Sequence, residues 1–75
     1  MADGAVKSRY GAALRRWREA RGLMQADCAE RAGVTQQTWS DYETGRRTPS
    51  LAALARLHRA TRGAVDPMLA VRAAC

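Results

Sequence analysis

Gln36 and Gln37 stand side by side in this chain, and Ser40 and Asp41 follow one helical turn later. A glutamine amide offers an acceptor and a donor next to each other, the pattern that pairs with adenine N6 and N7 along a major groove. A carboxylate in such company is repelled by phosphates unless it accepts from a cytosine amino group or pairs with an arginine. The chemistry available to the four is therefore recognition by hydrogen bonding. Bond-breaking chemistry finds no support elsewhere. The chain has no credible Ser/His/Asp or Cys/His set, no phosphate-cradling glycine loop and no carboxylate cluster, so an enzyme is not expected. One histidine (His58) and two cysteines (Cys28 and Cys75) fall short of the four ligands of a zinc site. No cofactor and no small-molecule ligand are expected. Cys28 reads as an inert buried thiol and Cys75 as an exposed, free one.

The flanking residues indicate how a helix could present that row. Residues 25–32 and 36–44 read as two short helices bent around Gly33, which can adopt the left-handed conformation that ends a helix. Ala29 is small where a second helix would cross. Val34 can plug the corner, and Thr35 can cap the second helix by accepting a backbone N–H. Helix, tight turn with glycine, helix is the arrangement that projects a second helix from a small body into a major groove. Trp39 and Tyr42 then face inward, and Arg46 and Arg47 fall in the loop beyond, where a phosphate backbone would pass.

The remaining elements must hold this pair. From Ser8 or Arg9 to Arg21 the pattern is helical, with Tyr10, Ala13, Leu14, Trp17 and Arg21 on one face and Gly22 as the stop. Thr48-Pro49 reads as the cap and first residue of a fourth helix burying Leu51, Leu54, Leu57 and His58. Asp66-Pro67 repeats that signal for a short fifth helix through Met68, Leu69 and Val71. Residues 1–7 read as a mobile lead-in, 8–71 as the domain and 72–75 as a loose tail. The expected fold is all-α, a compact five-helix unit.

Seventy-five residues make one domain with a thin stability margin. Hydrophobic residues are 47% of the chain but aromatics only 5%, so the core must come mainly from Leu, Val, Met, Ala and two Trp. Thirteen Lys+Arg against seven Asp+Glu leave a formal charge of +6, which points to a polyanion partner. All but one of the basic residues are arginine, which suits bidentate phosphate and guanine contacts. No signal peptide or bilayer-length apolar run is seen, which leads to the expectation of a reducing cytoplasm.

From about Leu14 to Leu69 the chain resembles the Cro/repressor-type helix-turn-helix domain of phage and bacterial regulators. The matching positions are Arg18 ahead of Gly22-Leu23, Gln25, Ala29, Gly33-Val34-Thr35, Trp39, Glu43, Gly45 and Pro49. The resemblance implies a lambda-repressor-like fold in which Gln36, Gln37, Ser40 and Asp41 read bases. It also implies that Gln25 contacts phosphate and that Arg18 and Glu43 form an ion pair; Thr35, Arg46 and Arg47 are the other expected phosphate contacts. Two departures stand out: Met24 replaces the usual cap of the second helix, and Cys28 replaces a usual core leucine.

The function implied is a sequence-specific regulator, a repressor that binds double-stranded DNA as a homodimer over a palindromic operator. Val65, Met68, Leu69 and Val71 are the expected dimer surface, because these apolar residues follow the core with little left to cover them. An antitoxin or a restriction-modification controller of the same fold would share the DNA contacts. A basic protein-interaction module is the alternative of another class, and it would bind DNA weakly and without sequence preference.

Overall fold

Leu14, Trp39 and Leu57 come from three different helices and are each completely shut off from solvent. A computed structural model describes residues 9–66 of the chain. Four helices lie within them: α1 (Arg9–Ala20), α2 (Gln25–Ala32), α3 (Gln36–Thr44) and α4 (Leu51–Ala60). No strand occurs among the described residues, so the fold is all-α. None of these helices is long and apolar enough to cross a membrane. The expected fifth helix, with Met68, Leu69 and Val71, lies outside the described residues, as do the lead-in, the tail and Cys75.

Helix α3 is the central element: α1 and α2 both pack on it, and α4 packs on α2. Cys28, Ala29 and Ala32 bring α2 close to its neighbours because their side chains are small, and all three are buried. Burial pushes the Cys28 thiol up from its ordinary value, consistent with an inert core residue. Tyr10 of α1 is likewise buried, and burial followed by the neighbouring Tyr42 pushes its phenol up to about 12.

Gly11 sets the distance between α1 and α3. A Cβ placed on it would sit 2.1 Å from the carbonyl oxygen of Tyr42 and 2.6 Å from that of Glu43, both main-chain atoms. Hydrogen alone fits there, so the first turn of α1 rests directly on the last turn of α3. Sequence patterning passed over this residue.

Several expectations about the remaining elements need correction. The cap of α4 is Ser50, whose hydroxyl accepts from Ala53 N–H at 3.1 Å, two residues later than the Thr48-Pro49 signal. That start makes Leu51 the first residue of the helix, where it is 82% exposed. The inward stripe is Ala53, Leu54, Leu57 and Thr61, and it leaves His58 outside. Thr61 is a fully buried hydroxyl satisfied within its own helix turn, donating to the Leu57 and His58 carbonyls. Arg21 is also exposed, with its guanidinium 5.0 Å from the centre of the Trp17 ring. Val65, expected on a dimer surface, belongs to the core at 4% exposure. Two successive left-handed residues, Arg62 and Gly63, turn the chain back after α4 and bring it there.

Gly11→Ala is predicted to lower stability by about 3 kcal/mol or more, since the new methyl meets rigid backbone. Thermal unfolding followed by circular dichroism should show a midpoint roughly 10–20 °C lower. A change of only a degree or two would contradict the close seating of α1 on α3.

Candidate nucleic-acid interface

The turn between α2 and α3 has three residues, and each makes a separate contribution. Gly33 takes the left-handed conformation (φ 71°, ψ 31°), and its N–H bonds to the Glu30 carbonyl. Val34 N–H reaches back to the Ala29 carbonyl at 3.0 Å, while its side chain packs on the core. This pair of bonds satisfies carbonyls that a helix end otherwise leaves open. Thr35 then caps α3, its hydroxyl oxygen accepting from Thr38 N–H at 3.1 Å. Met24 gives α2 no side-chain cap, but the Asp27 carboxylate accepts the Met24 N–H at 3.2 Å and supplies half of a capping box.

With Trp39, Tyr42 and Glu43 buried, the opposite face of α3 turns to solvent. Gln36 and Gln37 are exposed, and Ser40 and Asp41 are half-buried beside them. The Gln37 amide nitrogen donates to Asp41 Oδ1 at 3.0 Å. Thr35 is exposed at the start of this face, with its hydroxyl donating to Thr38 Oγ1. No acidic residue occupies the first turn, so the positive end of the helix dipole is uncancelled there.

Gly45, again left-handed, closes the far end (φ 79°). Beyond it the N–H groups of Arg46 and Arg47 both bond to the Asp41 carbonyl, at 2.9 and 3.2 Å. Both arginines are exposed. The fold thus carries Thr35, Gln36, Gln37, Ser40 and Asp41 on α3 and its cap, with Arg46 and Arg47 in the loop tied to the end of that helix. Tyr42 does not join them, being only 6% exposed.

Gln25, at the start of α2, is half-buried and already engaged within the protein. Its amide nitrogen donates to Glu43 Oε1 at 3.0 Å and joins a network around that carboxylate. Arg18 grips the same group as a fork, with Nε to Oε2 at 2.7 Å and Nη2 to Oε1 at 3.2 Å. Its third contact is Nη1 to the Leu23 carbonyl at 3.0 Å. The indole N–H of Trp39 also donates to Glu43 Oε2. The bonds that Gln25 and Trp39 make were not visible in the sequence, because the partner a buried carboxylate finds depends on how the helices pack and not on local pattern.

The carboxylate side chain is 3% exposed and the guanidinium side chain 15%. Burial pushes the Glu43 carboxyl upward. The hydrogen bonds from Arg18, Gln25 and Trp39, with the guanidinium charge, outweigh it and hold Glu43 below its ordinary value. Arg18 is raised in turn, chiefly by its hydrogen bond to Glu43. A carboxyl depressed in the folded state stabilises the fold above its unfolded value, near 4.5, and that contribution fades as pH falls further. Glu43→Gln should therefore lower stability by about 3 kcal/mol at neutral pH. The gap in melting temperature from the parent should narrow steadily in acid below that value. A gap independent of pH would contradict the ion pair.

Comparison with known proteins places this geometry in a family. A family model described as a helix-turn-helix domain matches residues 9–70. A protein of Archaeoglobus fulgidus, described as an uncharacterized HTH-type transcriptional regulator, is 40% identical over 52 residues. That match covers 69% of this chain and 23% of the Archaeoglobus protein. A protein of Methanothermobacter thermautotrophicus with the same description is 47% identical over 47 residues, covering 63% of this chain and 68% of its own length. No solved structure matches. The family match spans all four helices and the turn at Gly33, and the chain belongs to the helix-turn-helix domain family.

Proposed function

We propose that the chain is a DNA-binding transcriptional regulator that reads a near-palindromic operator in duplex DNA as a homodimer and represses by occupying it. The observation that carries this reading is the exposed row on α3, with Gln36 and Gln37 at its open end and Arg46 and Arg47 beyond its closed end. Amides suit base edges, and arginines suit phosphates on either side of the groove. The formal charge of +6 favours approach to a polyanion. Both relatives described above carry the description of transcriptional regulator.

Dimerisation enters through specificity. One recognition helix contacts only a few base pairs, too few to single out an operator among competing sites. Two copies with helices about 34 Å apart would meet successive major grooves on one side of the duplex. With Val65 in the core, the proposed pairing surface is narrowed to Met68, Leu69 and Val71.

Selection from a random duplex pool, followed by footprinting, tests the reading. The expected outcome is an inverted repeat with half-sites one helical turn apart, and affinity that falls steeply with salt. Gln36→Ala should cost about 1–3 kcal/mol and relax preference at one position per half-site. Replacing Arg46 and Arg47 together by alanine should weaken binding to every sequence alike and reduce the salt slope by about two per monomer. Weak binding without any preferred sequence would refute the proposal.

A further inference from the structure

The Gln37–Asp41 hydrogen bond joins two side chains that sequence reasoning treated as independent base readers. Its 3.0 Å contact runs from the amide nitrogen of Gln37 to Oδ1 of Asp41, one turn further along α3. A carboxylate has lone pairs and no proton to give, so only the nitrogen end of the amide can face it. An unrestrained glutamine amide can turn over, exchanging its donor and acceptor with almost no change of shape. Gln36 keeps that freedom, since its side chain bonds to no described residue. Gln37 does not. Its Oε1 is set away from Asp41, and one N–H remains beside it.

We propose that Asp41 acts on DNA through Gln37: by holding the amide nitrogen it fixes Oε1 outward, making Gln37 a reader of adenine that rejects guanine. Adenine offers the groove an N6 amino donor and an N7 acceptor, whereas guanine offers two acceptors, O6 and N7. A fixed amide meets adenine with Oε1 on the amino group and its remaining N–H on N7. Over guanine the same Oε1 faces O6, lone pair against lone pair, and the bond to Asp41 opposes swinging the amide until only its nitrogen end meets the two acceptors. Asp41 is on this account a positioning residue, and its own charge works against the neighbouring phosphates. The inference rests on α3 being the base-contacting helix.

The test uses the full chain and a randomised duplex pool, with sequence preferences counted for each variant. The position read by Gln37 is the one whose preference flattens in Gln37→Ala. At that position the adenine-over-guanine ratio should fall about fivefold or more in Asp41→Ala and in Asp41→Asn, whose amide can donate as well as accept. Asp41→Glu, again a pure acceptor, should retain most of the ratio. In the Gln37→Ala background, Asp41→Ala should change nothing further there. A purely structural role would lower the melting temperature and weaken all sequences equally, leaving the ratio intact. An unchanged ratio in Asp41→Ala overturns the inference, as does a shift that persists without Gln37. A parent protein with no preference at any position overturns the base-reading proposal and this inference together, a result distinguishable from either of those.

Discussion

The carboxylate of Glu43 is the point on which the rest of this small domain depends. It sits in the last turn of α3, almost without solvent, and receives hydrogen bonds from α1 through Arg18, from α2 through Gln25 and from its own helix through Trp39. A nine-residue helix has little stability alone, because nucleation in water is unfavourable at that length. Its orientation must come from what it packs on. A buried charge is costly when half satisfied and strongly directional when all its lone pairs are engaged. Glu43 is in the second condition, so three elements share one electrostatic centre and α3 cannot rotate without breaking several bonds together.

That constraint works with a steric one on the same turn. The main-chain oxygens of Tyr42 and Glu43 touch the first turn of α1 where Gly11 has no side chain. Attraction through Arg18 and contact at Gly11 lie seven residues apart on α1, about two turns, so they act on the same side of that helix. One pulls α1 and α3 together while the other sets how near they come. The polar row on α3 is what remains once the inner side has been claimed by Trp39, Tyr42 and Glu43.

Much of this was legible in the sequence where the controlling physics is local. Gly33 as a left-handed stop, Thr35 as a cap, and Trp39 and Leu14 as core follow from residue type and spacing. Thr48-Pro49 and Ser50 offer competing caps for α4, and only packing decides in favour of Ser50. The same two-residue shift turns Leu51 outward. Val65 and Thr61 were illegible for a different reason: their burial depends on the chain reversing at Arg62 and Gly63, and an arginine at φ 54° gives no warning of a turn. Arg18 and Glu43 were linked through family resemblance, since their 25-residue separation carries no pattern. Gly11 did leave a trace. A glycine amid good helix formers weakens a helix by nearly 1 kcal/mol relative to alanine, which calls for a reason in three dimensions.

The main-chain oxygen of Asp41 holds the N–H groups of both Arg46 and Arg47, so the loop is anchored to the helix that carries the amides. Ordering a flexible segment costs about 1–2 kcal/mol per residue, and here that loss of entropy falls on folding. The two exposed guanidinium groups start from a held backbone and move only through their side-chain torsions. A loop so fixed would follow any tilt of α3, and the spacing between the cationic and amide groups would behave like a ruler cut when the chain first folds.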